Sequence, residues 1–360
     1  MEDQELIVRE HFSKISLDDP FFYSLKCDYP GFEQWFVKKS ASADSFAYIF
    51  RNPTYGDLDG FLYLKLESGI VGDVTPALTA SNRLKIGTFK INPHGTRLGE
   101  RFIKRAFDVA LSYNADALYV TVFQKHRPLV ELFKRYGFVH VADKCGYQDN
   151  ELVMERRLDN YVDDVVLDYP RFPVKSGRHF GLSIYPDWHS RLLPDSLLNT
   201  ESANILQDVS HTNSIHKIYL TSMHGIENLR RGDTLLIYRT KSFGSAYYTS
   251  VITSLCVVES VCHIDEFNTA DAFVDYCLPY SVFSEVELRT FYNHRKYPWL
   301  VQFTYNLALT KRPNRKILIE DVGLSENMYW GFFPITTEQL KRILYLSQDY
   351  EKASSLVYPS

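Results

Sequence analysis

The rhythm of apolar and polar residues changes near the middle of this chain, and each half predicts its own set of elements. "DDPFFYSLKCDYPGFEQWFVKK", Asp18–Lys39, spaces its aromatic residues as short helices with an aromatic inner face. "SFAYIFR" (Ser45–Arg51) and "GFLYLKLE" (Gly60–Glu67) read as strands around the turn-rich "NPTYGDLDG". "RLKIGTFKI" (Arg83–Ile91) is a further strand. From Leu98 a helix follows, with Leu98, Phe102, Ala106, Val109 and Tyr113 on one face. Then come the strand Ala117–Phe123, the helix "HRPLVELFKRY", the strand "GFVHVAD" and a closing strand Glu151–Leu158. Strands alternating with helices predict an α/β or α+β mixed sheet over residues 1–158, with at least one strand–helix–strand crossover.

The segment Asp159–His179 mixes acid, Pro and Gly and marks a linker at 159–178. Beyond it, over 179–360, strands dominate: "FGLSIYP", "HKIYLTS", "DTLLIYRT", "AYYTSVITSLCVVESV" and "WLVQFTYNLAL". Helical patterns cover Asp265–Cys277, Glu285–His294 and Glu338–Leu346, the last opened by Thr336 or Thr337 as N-cap. Many strands with few helices predict a small barrel-like β domain with helical decoration.

Composition narrows the class. A 360-residue chain with 45% hydrophobic and 23% charged residues is ordinary for a soluble globular protein of two domains. The 15% aromatic share is high and points to a large core first, a base-stacking surface second. A net charge of -4 argues against a surface wrapped wholly in nucleic acid and leaves room for a local basic patch. Five cysteines, an odd number with no C-x-x-C pair, read as reduced thiols. The opening "MEDQELIVREHF" reads as acidic and helical, not as a signal peptide, and no apolar run could span a bilayer. These features predict a cytoplasmic protein without a membrane partner. The His and Cys spacings suggest no metal site.

The stretch after Ile91, "NPHGTRLGER", carries candidate chemistry. Pro93 stops the strand, Gly95 tolerates a positive φ, and amides from Thr96 to Gly99 would open a helix whose dipole favours an anion. Gly99 would allow close backbone approach to a phosphate, and Arg97 and Arg101 would share a face. The alternative is a solvated helix face with a Gly in its turn.

Residues Arg83 to Leu158 resemble the core of the GNAT acetyltransferase superfamily. Its motif runs Arg/Gln-x-x-Gly-x-Gly/Ala into a helix that holds the acetyl-CoA pyrophosphate. Here the register is His94-Gly95-Thr96-Arg97-Leu98-Gly99, matching at the last Gly, with His at the first position and Arg at the fourth. "ADALYVTVFQKHRPLVELFKRYGFVHV" resembles the family's following strand, helix and Gly-Phe strand, here Gly137-Phe138. The resemblance implies acetyl-CoA as cofactor. The pantetheine arm would pair with Ile86, Gly87, Thr88 and Phe89. The pyrophosphate would lie against His94, Gly95, Thr96, Arg97, Leu98, Gly99, Glu100 and Arg101. The family's usual acid, a Tyr four residues before Gly-Phe, is Phe133 in this chain. Tyr136 and Tyr147 are then the catalytic candidates, beside His126 and His140, with Asp73 or Glu151 as a base reaching in from neighbouring elements.

"HKIYLTSMHGIENLRRGDTLLIYRT" (His216–Thr240) followed by "YYTSVITSLCVVESV" resembles the PUA-like superfamily, including its EVE and ASCH branches. That resemblance implies a pocket for RNA or a modified nucleotide at Tyr219, Ser222, Tyr238 and Arg239, by stacking and hydrogen bonding. Lys311, Arg312, Arg315 and Lys316 cluster around Pro313 as phosphate contacts or as a solvated loop. Together the two resemblances imply an acetyl-CoA-dependent N-acetyltransferase acting on an RNA-linked amine, such as an aminoacyl-tRNA or a nucleobase. A homodimer or an antitoxin-like partner would accompany such a protein. The alternative is a non-catalytic module that senses CoA or binds a modified nucleotide. Hydrolysis of acylated nucleosides by the PUA-like half is a third reading, without a visible catalytic set.

Overall fold

The computed structural model describes residues 7–52, 55–92, 97–145, 149–173, 177–193 and 214–356. The chain divides into two units, Met1–Asn160 and Tyr161–Ser360.

A seven-stranded sheet organises the first unit. β1 (Val8–His11) runs antiparallel to β2 (Phe46–Arg51), so Val8–His11 is an edge strand where a helix was expected, and residues 1–6 of that segment lie outside the described residues. β2 offers each of its residues a ladder partner, from Val8↔Ile49 to His11↔Phe46, and tertiary pairing overrides the local helical pattern. α1 (Tyr23–Asp28) and α2 (Phe32–Ser40) lie between them in sequence. β3 (Leu58–Val71) and β4 (Leu78–Ile91) form a hairpin longer than the apolar alternation predicts. Its extension is polar, fastened by pairs such as Ser68 Oγ to Asn82 Oδ1 at 2.7 Å. α3 (Leu98–Ser112), β5 (Ala117–Phe123), α4 (Arg127–Arg135), β6 (Val139–Lys144) and β7 (Glu151–Arg157) complete the unit. Strand order is β1-β2-β3-β4-β5-β7-β6, with β4 and β5 parallel across the α3 crossover and the other pairs antiparallel.

Helices cover both faces of this sheet. Phe61 of β3 meets Phe12 and Phe22 edge to face, in an aromatic cluster that includes Phe32 and Phe36 of α2. Its neighbour Gly60 faces the other way, where a Cβ would come 2.4 Å from Phe102, so α3 packs directly on strand backbone. Much of the aromatic surplus is therefore core. The buried stripe of α3 includes Phe102, Ile103, Ala106, Phe107 and Ala110, while Tyr113 is exposed. The predicted face is rotated because Phe107 also reaches Phe138, 6.4 Å away between ring centroids.

The second unit begins earlier than the composition suggests. Residues 161–173, expected as linker, are packed into it: the Tyr169 hydroxyl donates to the Tyr305 carbonyl at 3.0 Å, and Asn306 Nδ2 donates to the carbonyls of Pro170 and Arg171. The acidic residues that mimic a linker build its turn, with Asp168 accepting from the amides of Val162 and Asp164. β8 (His179–Ile184), α5 (Pro186–Leu192), β9 (His216–Thr221), β10 (Thr234–Arg239), α6 (Ala246–Thr249), β11 (Val251–His263), α7 (Ala270–Cys277), α8 (Glu285–His294), β12 (Trp299–Ala308), α9 (Arg315–Glu320), β13 (Phe332–Ile335), α10 (Thr337–Leu346) and α11 (Tyr350–Ser355) follow. Thr336 caps α10 as expected, accepting from Gln339 N at 3.2 Å.

The strands form one six-stranded mixed sheet, β13-β8-β10-β11-β12-β9. The expected barrel is not closed, because no ladder joins β9 to β13 among the described residues. Chain leaving α7 covers the edge of β9 instead, where Ile218 N donates to the Tyr280 carbonyl at 2.9 Å. Among the described residues no helix is long and apolar enough to cross a membrane.

Candidate functional site

β4 and β5 keep their parallel register only from Arg83↔Ala117 to Ile86↔Val120. Past that point each holds its outer neighbour. Thr88, Phe89 and Lys90 stay opposite Tyr63, Leu62 and Phe61 on β3, while Thr121, Val122 and Phe123 stay opposite Val153, Leu152 and Glu151 on β7. The two strands part as a wedge, and the β5-facing edge at Gly87–Phe89 has no strand partner among the described residues. A bulge lies at the fork: Tyr63 opposes Thr88 and Leu64 opposes Ile86, which leaves Gly87 as the extra residue. Only glycine fits there, since a Cβ would lie 2.8 Å from the Tyr63 ring.

The wedge opens into a cleft of about 390 Å³, lined by backbone and side chains of both parted strands. Asp28, Tyr29 and Trp35 reach it from α1 and α2 and the turn between them, His126 from the start of α4, and Lys144, Cys145 and Glu151 from the β6–β7 end. Tyr29 is fixed by its amide donating to Leu25 O at 2.9 Å and its carbonyl accepting from Phe32 N at 2.8 Å. Its ring lies 5.1 Å from that of Phe123. Burial, then the charges of Glu151 and Asp28, raise its phenol well above the ordinary tyrosine range, so it is protonated at neutral pH. Asp28 accepts from Lys125 Nζ at 2.5 Å and stands 3.2 Å from His126 Nε2. Glu151 is only 7% exposed and makes no side-chain hydrogen bond or ion pair among the described residues. A protonated phenol and a buried carboxylate thus share one cleft beside an unpaired strand edge, a combination able to give and accept protons.

At the start of α3, His94, Gly95 and Thr96 lie outside the described residues. Arg97 is the N-cap in a left-handed conformation, φ 53°, with its guanidinium 3.8 Å from Glu100. Leu98, Glu100 and Arg101 are buried. Arg101 does not share a solvent face with Arg97, because its guanidinium lies 5.0 Å over the Phe50 ring. The space beside Gly99 is filled by side chains: a Cβ would meet Leu132 at 2.8 Å and Ile91 at 3.2 Å. Gly99 lets α3 approach α4 and β4, a packing role that the motif register does not reveal.

Of the catalytic candidates, Tyr136 is fully buried at the end of α4 and is not among the cleft residues. Tyr147 lies outside the described residues. Phe133 packs between Phe89 and Phe138, at 5.5 and 5.0 Å. His140 is exposed and pairs with Asp143, and Asp73 pairs with Lys144 at 2.5 Å. Tyr29 and Asp28 escape the sequence reading, although "DYPG" announces the turn that places them. Nothing in spacing joins that turn to β7.

The nucleotide candidates of the second unit are mostly interior. Tyr219 is buried, and Arg239 is buried with Nη2 donating to Ser242 Oγ at 2.8 Å. Tyr238 is buried against Trp330 and hydrogen-bonds Ser250 and Arg315, whereas Ser222 is exposed. Arg315 stacks 4.4 Å over Trp330. The phenols of Tyr185, Tyr297 and Tyr329 lie within electrostatic reach of Tyr219, whose own phenol burial pushes up.

No family model matches the sequence, and no curated protein matches it. Solved structures match parts of the chain, among them both GNAT acetyltransferases and ASCH-domain proteins. An ASCH protein from Zymomonas mobilis is 8% identical over 47% of this chain and 94% of its own, with a TM-score of 0.30. A Bordetella pertussis protein assigned to the GNAT acetyltransferase family is 16% identical over 43% and 97%, with a TM-score of 0.31. A spermidine N-acetyltransferase variant from Vibrio cholerae is 17% identical over 37% and 76%, with a TM-score of 0.26.

Proposed function

We propose that the first unit is an acyl-CoA-dependent N-acyltransferase with acetyl-CoA as donor. The observation that carries this reading is the wedge between β4 and β5. A pantetheine arm is an extended chain of amides, and an unpaired strand edge is the surface that pairs with one. The glycine bulge at its fork and the cleft beyond it suit a thioester lying between the strands. The pyrophosphate would take the first amides of α3 together with Arg97, which stays partly exposed.

The acceptor is a primary amine, and an RNA-linked one, an aminoacyl-tRNA or a nucleobase, is the reading we favour. Its recognition would fall to the second unit, where Ser222 is the exposed member of the candidate set and Tyr219, Tyr238 and Arg239 lie in the interior. A non-catalytic module that senses CoA or binds a modified nucleotide is favoured by one observation, the burial of Phe133 where the resemblance expects a tyrosine.

Calorimetric titration of acetyl-CoA into the full chain tests the donor. Saturable one-to-one binding, weakened about tenfold or more by Arg97→Glu, is expected from the loss and reversal of a phosphate-facing charge. Absence of binding would end the reading. Radiolabelled acetyl transfer onto RNA and protein pools then separates enzyme from module, since the module binds CoA and labels neither.

A further inference from the structure

Glu151 is not accounted for by the fold. Glu151 is 7% exposed, lines the cleft and makes no side-chain hydrogen bond or ion pair among the described residues, so its carboxylate is open to a cation or donor that enters there. The cleft is the way in. The charged groups around that cleft are engaged elsewhere. Lys144 is on Asp73, Lys125 and His126 are on Asp28, and Lys90 donates to Ser24 Oγ at 2.6 Å. Tyr29 stands within electrostatic reach of Glu151 and carries its proton, and Trp35 lines the same wall. Phe133 packs in the core and has no ionisable group, so it supplies no acid.

We propose that Glu151 seats the ammonium of the acceptor and takes its proton, and that Tyr29 protonates the departing thiolate. The acid–base pair then comes from β7 and the turn after α1. This rests on the acyl-transfer reading. Glu151 removes one proton from R–NH₃⁺, and the free amine attacks the thioester carbonyl. The C–N bond forms, the C–S bond breaks, and the sulfur takes the Tyr29 proton. Glu151 returns its proton to the Tyr29 phenolate, and the amide nitrogen loses its remaining extra proton to water. One amide, one CoA thiol and one proton result.

The geometry also selects the acceptor class. An alkyl ammonium beside Tyr29 and Trp35 gains from both the carboxylate and the aromatic faces. A free amino acid would bring its own carboxylate to Glu151 and Asp28 and is disfavoured. An esterified amino acid or a simple alkylamine carries no such charge.

The test uses the full chain with n-butylammonium, glycine methyl ester and free glycine as probes. In calorimetry at pH 7, wild type binds n-butylammonium, Glu151→Gln weakens it at least tenfold, and the charge-keeping Glu151→Asp retains it within a few-fold. In thiol release from acetyl-CoA, n-butylamine and glycine methyl ester are used and glycine is not. Tyr29→Phe lowers kcat about 10²-fold while acetyl-CoA affinity holds. Unchanged n-butylammonium binding in Glu151→Gln, no binding to wild type, no thiol release with either amine, or full kcat in Tyr29→Phe each overturn the assignment. Failure of acetyl-CoA itself to bind instead sinks the acyl-transfer reading, and the n-butylammonium titration still judges the ammonium seat separately.

Discussion

His189 illustrates how a single side chain sets a response to acid. It is fully buried on α5, with Nε2 2.8 Å from Thr253 Oγ1. Burial first, then the charges of Arg239 and Arg312, depress its pKa from 6.5 to about 3. Between those values the unfolded chain binds a proton that the folded chain refuses, so this contribution is full above pH 6.5 and is lost as pH falls toward 3. We expect the second unit to melt at lower temperature at pH 5 than at pH 7.5, and His189→Gln to flatten that difference. An undiminished acid sensitivity in the variant would assign it to other groups. At this scale the sequence was least legible. Spacing identifies neither His189 as interior nor Glu151 as unpartnered, because both properties depend on neighbours far along the chain. Gly99 is instructive in the other direction: its position was visible, but the close approach of the Leu132 side chain that also requires a glycine there was not.

Among elements, the wedge depends on a closed end as much as on an open one. Arg83 Nε donates to Glu155 Oε1 at 2.7 Å, a fully buried pair that fastens β4 to β7 across β5 where β4 and β5 are still in register. Arg83 also donates to the Thr79 carbonyl at 2.7 Å. Removing one partner strands a buried charge, so Arg83→Met is expected to cost about 3–5 kcal/mol in urea unfolding. A loss below about 1 kcal/mol would show that the pair does not hold the fork. The strands on either side were readable from alternation, as were α3, α4 and the apolar parts of β3 and β4. Their lengths were not, because the hairpin continues through polar residues such as Ser68 and Asn82. The splay itself leaves no side-chain pattern, as a missing ladder is a property of backbone groups. It was reachable only through the resemblance carried by "RYGF" and the degenerate "HGTRLG".

At the scale of the whole molecule, two units with separate sheets follow from the change of rhythm along the chain, which was legible. The division between Asn160 and Tyr161 falls inside the segment read as linker, but Asp164 and Asp168 form a turn packed into the second unit, and acid with proline reads as linker when its hydrogen bonds are unknown. The first unit carries the chemistry in this account, and its central claim is that an acyl-CoA pairs with the open edge of β4. Residue-resolved amide hydrogen exchange of the full chain, with and without acetyl-CoA, addresses that claim most directly. The account predicts slowed exchange within Gly87–Phe89 and in the first turn of α3, where unpaired amides gain an acceptor. Saturating acetyl-CoA with no change at those amides would contradict it.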